Sequence, residues 1–360
     1  MRTRNLSTNL SSLGSLRARC VSASAFMLLL GGLYVALSDG SMVSAQIPDG
    51  GEAGAPLVAS ATPTTIPCEN TGRVPQIQYV ADRQWMNCSI DASGNCFYPT
   101  HTISCPSGFR PIGGGCSIGG WNTTVVGDSI SGNGWVCSYA ESNRPTYAGQ
   151  SFPVDSYVYV TCIEDNSALV EVQTVSDYKT LNCTIDESGN CHYPDKHHVD
   201  CPSGFQLAGG SCSIGGWNTT KTTDISDGNG WTCGYAESNR QAYAGKTFPV
   251  GSLVTAYCIK DKTNSLKLTT STKTVVSEIF LIGGNGFSDE FPVSCPPGYE
   301  PLTGSCSLGG WNTTKVWDRR DGNGWVCKYG ESNRLNYTSL PVQSTVQTIC
   351  VLKASNSCQS

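Results

Sequence analysis

Twelve of the chain's 19 cysteines fall on a ruler that repeats three times. Cys105, Cys201 and Cys295 lie 96 and 94 residues apart, and the same steps separate Cys116, Cys212 and Cys306. Cys137, Cys233 and Cys327 follow the same rule, and Cys162, Cys258 and Cys350 close each copy. A fixed period of this length marks a tandem array of small folding units. Other residues repeat with the cysteines. GGWNTT stands at 119–124, 215–220 and 309–314, followed by GNGWVCSYAESNR, GNGWTCGYAESNR and GNGWVCKYGESNR. The reading is three modules of about 95 residues, with boundaries at 68–164, 165–260 and 261–360.

The third copy departs from the others in an informative way. Copies one and two open with NCSIDASGNC (Asn87 to Cys96) and NCTIDESGNC (Asn182 to Cys191), whereas copy three carries Glu278 and Gly286 at the matching places, in EIFLIGGNG. Two cysteines vanish together while the turn survives as Gly284-Asn285. Losing only one would strand a thiol in an oxidising medium. The joint loss therefore pairs Cys88–Cys96 and Cys183–Cys191, each clamping a hairpin across an SGN turn. Cysteines common to all copies allow three connectivities per module, which spacing does not resolve.

The segments between cysteines read as strands. SYVYVTCI (156–163), SLVTAYCIK (252–260) and STVQTICVLK (344–353) alternate and are rich in β-branched and aromatic residues. Forty glycines gather in GGG, GGW and GNG clusters, and no segment sustains a helical apolar period. The expected fold class is all-β, a string of three disulfide-stapled sandwich-like or barrel-like modules.

Four arginines (2, 4, 17 and 19), an apolar run from Ala25 to Leu37 and Val43-Ser44-Ala45 predict a signal peptide over 1–45. The alternative is an uncleaved anchor. Removing that leader leaves eighteen cysteines, an even number, and 19 basic against 27 acidic residues, a net charge of −8. An oxidising compartment makes these cysteines a disulfide framework. No finger-like Cys/His spacing supports zinc, no basic stripe supports nucleic acid, and no later apolar run is long enough for a membrane-spanning helix. No cofactor is expected. Residues 46–67 read as a Pro/Gly/Ala/Thr-rich linker.

CPSGFQLAGGSC (201–212), GNGWTC (228–233) and SLVTAYC (252–258) together resemble a β-rich module of secreted bacterial proteins, with the pattern CPAG, GGG, GNGW, TAYAVC. The resemblance spans about 60 residues of each copy. CPxGF and Trp-x-Cys are more weakly similar to complement-control modules, whose lengths fit poorly. The bacterial module has no settled activity. What the resemblance implies is a nested pairing, Cys105–Cys162 around Cys116–Cys137, then Cys201–Cys258 around Cys212–Cys233 and Cys295–Cys350 around Cys306–Cys327. Cys68 and Cys358 are then left to pair with each other. A rival register uses every thiol as well: Cys68–Cys105, Cys162–Cys201, Cys258–Cys295 and Cys350–Cys358.

The recurring non-cysteine residues supply the candidate ligand sites. They are Trp121, Glu141, Asn143 and Arg144 in copy one, Trp217, Glu237, Asn239 and Arg240 in copy two, and Trp311, Glu331, Asn333 and Arg334 in copy three. A carboxylate, an amide and a guanidinium within four residues could meet sugar hydroxyls. An internal Glu–Arg pair that pins a loop explains the same letters. Trp135, beside Cys137, reads as core. Asp224 to Gly230 and Asp318 to Gly324 spell DxxDGNG, which invites calcium, but copy one offers only Asp128, Ser131 and Asn133, and a Gly-Asn-Gly hairpin turn suffices. Asn87, Asn122, Asn182, Asn218, Asn312 and Asn336 open glycosylation sequons for a host that uses them.

Of the four histidines, 101, 192, 197 and 198, none recurs in all copies, and HYPDKHH (192–198) reads as a solvated loop tip. No HExxH or phosphate loop occurs. The sequence thus points to a non-enzymatic secreted structural or adhesion protein that meets an extracellular protein or glycan surface. The alternatives are a trivalent carbohydrate-binding protein, in which weak sites gain avidity by repetition, and, further off, an inhibitor or a hydrolase with an unrecognised site.

Overall fold

The structure is a computed structural model that describes residues 73–119, 123–142, 144–194, 196–215, 219–238, 240–308, 313–331 and 336–353. The leader, the linker, Cys68 and Cys358, and the repeated Trp121, Trp217 and Trp311 lie outside the described residues. So do Asn122, Asn143, Asn218, Asn239, Asn312, Asn333 and Arg334.

Three all-β modules follow one another. Module one comprises β1 (Ile77–Ser89), β2 (Cys96–Phe97), β3 (His101–Ser104), β4 (Phe109–Gly119), β5 (Thr123–Ser131), β6 (Gly134–Glu141) and β7 (Ser151–Glu164). Module two has β8 (Val170–Thr184), β9 (Cys191–His192), β10 (His197–Asp200), β11 (Gln206–Ile214), β12 (Thr219–Asp227), β13 (Gly230–Glu237) and β14 (Thr247–Asp261). Module three has β15 (Leu268–Phe280), β16 (Gly286–Phe287), β17 (Phe291–Ser294), β18 (Tyr299–Leu308), β19 (Thr314–Asp321), β20 (Gly324–Glu331) and β21 (Ser339–Leu352).

Each module is two antiparallel sheets. One has the order β1-β7-β4, repeated as β8-β14-β11 and β15-β21-β18. The other centres on β6, with β5 on one side and β2 and β3 on the other, and β13 and β20 are its counterparts. Cys116–Cys137 ties the two sheets together, Cys105–Cys162 fastens the loop after β3 to β7, and Cys88–Cys96 closes the opening hairpin. Modules two and three repeat the nested pair as Cys201–Cys258 with Cys212–Cys233 and Cys295–Cys350 with Cys306–Cys327, and Cys183–Cys191 repeats the hairpin bond. The rival register needs these same sulfurs elsewhere and is not the one formed.

The third module's hairpin corrects the sequence alignment by one residue. Cys88 faces Phe152 and Cys183 faces Phe248, and the residue at that register in module three is Ile279, opposite Leu340, not Glu278. The hairpin is one residue shorter, with Ile282 bridged to Asn285 across Gly283-Gly284. Ile279 is fully buried, and a Cβ on Gly286 would lie 2.9 Å from its Cγ2. An aliphatic side chain over a glycine thus replaces the disulfide.

The GNG motif is explained by three contacts. Gly132 has φ +59°, the left-handed turn position, and Gly228 and Gly322 match it. Asn133 donates its amide N–H to the Cys105 carbonyl, as Asn229 does to Phe205 and Asn323 to Cys295. Gly134 runs so close to β3 that a Cβ would sit 1.9 Å from the Ile103 oxygen. Upstream, Gly114, Gly210 and Gly304 each lie flat beneath the buried Trp135, Trp231 or Trp325. These tryptophans are core residues, as their position beside a cysteine implies.

The modules close on one another within the unit Pro67–Ser360. The Ser213 hydroxyl of module two accepts from the Asp128 backbone N–H of module one. Ser307 of module three does the same for Asp224 of module two. Ser117 of module one then receives Asp318 N–H of module three, and the cycle is complete. Each serine directly follows the first cysteine of its inner disulfide, so one contact is written three times in cyclic order. A β-bulge at one register in β4, β11 and β18 brings Ile112, Ala208 and Leu302, one from each module, into a single buried apolar cluster. There a Cβ on Gly209 would be 2.8 Å from the Ile112 oxygen, which explains the glycine.

Candidate functional site

Five buried charges gather where β5, β12 and β19 meet. Asp128, Asp224 and Asp318 each accept the indole N–H of their own module's tryptophan, at 2.7, 2.9 and 2.7 Å. Lys221 of module two reaches its own Asp224 at 3.4 Å and Asp128 of module one at 3.2 Å. Lys315 of module three pairs with its own Asp318 and, at 3.1 Å, with Asp224 of module two. The third place in this relay belongs to Val125, which occupies the register of Lys221 and Lys315 opposite Tyr139. Three carboxylates therefore share two ammonium groups.

The imbalance shapes their titration. Burial pushes the Asp224 carboxyl up, but Lys315 and Lys221 together outweigh it and hold the group below the ordinary carboxylate range. Asp318 has a single lysine; burial dominates, the Asp224 charge adds to it, and its carboxyl is held above the ordinary range. Burial works against the Lys315 ammonium, yet Asp318 and Asp224 overcome it and raise its affinity for the proton. The first aspartate of each DxxDGNG element thus serves lysine and tryptophan, and no metal-holding cluster exists among the described residues.

Val125→Lys is expected to complete the relay and stabilise the fold by about 1–2 kcal/mol, measured as a higher denaturation midpoint, with Val125→Met as the uncharged control. Because the folded-state affinity of Asp318 for its proton is raised, its contribution is full below the unfolded carboxylate range and is lost as pH rises through the raised value. Val125→Lys should flatten that decline. An unchanged pH profile would contradict the missing-cation reading.

The repeated GGWNTT and ESNR elements meet inside each module. Thr123 and Thr219 donate to the buried carboxylates of Glu141 and Glu237, at 2.7 and 2.6 Å, and Thr313 donates likewise to Glu331. Tyr98 and Tyr193 add hydroxyl donors at 3.3 Å. The other oxygen of Glu141 meets the Arg144 guanidinium at 3.0 Å, and that of Glu237 meets Arg240 at 2.7 Å. These arginines also lie over aromatic rings, 4.9 Å from Phe152 and 4.7 Å from Phe248. The tip of the disulfide hairpin presses on the same loop: Arg144 N–H donates to Gly94, and a Cβ there would lie 2.3 Å from the Pro145 nitrogen. The next threonines, Thr124, Thr220 and Thr314, line one pocket with Val125, Lys221 and Lys315. Here the first threonine of each NTT closes its own module and the second faces the pocket shared by all three. Of the sequon asparagines, Asn87, Asn182 and Asn336 are exposed.

The histidine reading needs correction. His197 is not at a solvated loop tip but is buried in β10, four residues before Cys201, as His101 is four before Cys105. Each is a β-strand residue held from both sides. His101 contacts Ser156 at 2.7 Å and Asp82 at 2.9 Å, and His197 contacts Ser252 at 2.8 Å and Asp177 at 2.9 Å. The common distance from cysteine was the available signal. These Asp–His–Ser chains resemble a hydrolase triad in composition only. Both serines are wholly buried and donate onward to Tyr139 or Tyr235, so no substrate carbonyl reaches them. The hydrogen bonds to His101 and His197 hold the exposed Asp82 and Asp177 carboxyls low, while burial lowers His197 against the pull of Asp177. In module three Phe291 and Lys273 take the places of His and Asp.

No protein-family model matches this chain, and no curated protein sequence is similar to it.

Proposed function

We propose that this chain is a secreted, non-enzymatic structural or adhesion protein of the extracellular surface. The observation that carries the reading is what the repeated polar residues do. The aspartates join modules, and the glutamates, with Arg144 and Arg240, lock loops onto their own module. Repetition here serves contacts within and between the modules. Eight disulfides in the described part suit an oxidising compartment, where such bonds persist. The resemblance to secreted bacterial modules points the same way.

Expression of the full chain with its leader tests this directly. Processed, fully oxidised protein should be found in the medium or on the cell surface. Reduced protein retained inside the cell would overturn the proposal. A glycan array probed with the same material addresses the trivalent carbohydrate reading: saturable binding weakened in parallel by changes in all three modules would install it instead.

A further inference from the structure

Module three carries an apolar strand edge that runs into an apolar hairpin tip, whereas the edges of β1 and β8 expose Trp85 and Tyr178 but end in polar tips. In the sheet order β15-β21-β18, β15 is an edge strand, as β1 and β8 are in theirs. A long exposed edge offers unpaired backbone groups to another strand. On β15 and the turn it enters, Val276, Phe280 and Ile282 are 67%, 71% and 88% exposed. They share one side, being separated by even steps. Phe280 replaces the hydroxyls of Ser89 and Thr184, which bond across the sheet to Ser151 and Thr247. Ile282 replaces Asp91 and Asp186, whose carboxylates accept backbone N–H groups of their own turns. Polar, self-satisfied hairpin tips have become an exposed hydrophobic one.

Charge placement selects the occupant. Two copies of one strand pair antiparallel about a two-fold axis through a central residue, which faces itself. Full overlap of β1 sets Arg83 opposite Arg83, and full overlap of β8 sets Asp177 opposite Asp177; like charges directly opposed are destabilising. Full overlap of β15 sets Thr274 opposite Thr274, Thr272 opposite Val276 and Leu268 opposite Phe280. Its charges, Lys273 and Glu278, face Val275 and Thr270, so no charge meets its like. Thirteen paired residues give a contact about 44 Å long.

We propose that β15 and its hairpin form a self-association surface on which two copies of this chain join their sheets edge to edge, antiparallel, about Thr274. The dimer extends a three-stranded sheet to six strands and covers Val276 and Phe280.

Sedimentation velocity of the oxidised full chain over a wide concentration range is the test. Concentration-dependent dimer is expected, and the double change Val276→Lys with Phe280→Lys should weaken it roughly tenfold or more while leaving the melting temperature in place, because both side chains are solvent-exposed. Trp85→Lys on β1 and Tyr178→Lys on β8 should leave the dimer intact. A parent that stays monomeric throughout, a dimer that survives the β15 change, or one lost through β1 or β8 would each overturn the proposal.

Discussion

Replacing Lys315 with methionine is expected to destabilise the fold by about 3–5 kcal/mol, read as a fall in the denaturant midpoint. The ammonium is buried between Asp224 of one module and Asp318 of the next, so its removal leaves Asp318 with no cation and Asp224 with Lys221 alone, where water cannot reach either carboxylate. Losing one partner of a buried pair exposes the full desolvation penalty of the other. Methionine keeps most of the stem's packing, so the loss reports charge rather than volume. Its pH dependence has a definite sign. Asp224 is held low in the folded state, so its stabilisation is present above the unfolded carboxylate range and is lost as pH falls through the lowered value. The deficit of Lys315→Met should therefore be greatest near neutrality and shrink towards about pH 4. Adding Asp318→Asn to the variant should restore part of the loss, since a neutral amide can still accept the Trp325 N–H. A Lys315→Met protein within about 1 kcal/mol of the parent would refute the claim that this cluster holds the modules together.

The repeat, the strands and the disulfide hairpins were legible because they rest on local pattern. A cysteine ruler needs no knowledge of space, and two cysteines lost together announce a bond. The ring was not legible. Ser117 and Asp318 are 201 residues apart, and a serine after a cysteine carries no motif. The axial cluster left a faint trace: Val125, Lys221 and Lys315 share a place in the ruler, and two buried lysines opposite three repeated aspartates would have suggested pairing. Alternation did not reveal it, because a bulge after each of these positions shifts the register by one residue. A similar single-residue shift put Glu278 where Ile279 belongs. The Glu–Arg element reads from sequence as either scaffold or site, and only the depth of Glu141 and Glu237 in the fold, absent from any linear pattern, favours the scaffold.

Arg240→Ala should put that preference to measurement, lowering stability by about 2–3 kcal/mol. Glu237 is buried, and its two oxygens are divided between donors of unlike strength. Thr219 and Tyr193 hold one, while the Arg240 guanidinium, 2.7 Å away, supplies the charge facing the other. The arginine is itself partly solvated, with 19% of its side chain accessible, so the expected cost lies below that of breaking a fully buried pair. Truncation also removes the cation above Phe248 and loosens the loop whose backbone receives the disulfide hairpin at Gly189. The double change Arg240→Ala with Glu237→Gln should recover part of the loss, because an amide needs no counter-charge yet still accepts from Thr219. Surface attachment of the folded protein should remain near that of the parent. If instead Arg240→Ala melts like the parent and attachment falls, the Glu–Arg element contacts a ligand. Changing Arg144 and Arg240 together would then cost far more apparent affinity than either alone, since linked sites gain through effective concentration. A folding element and a ligand site thus move stability and attachment in opposite order, and calorimetry beside one attachment assay separates them.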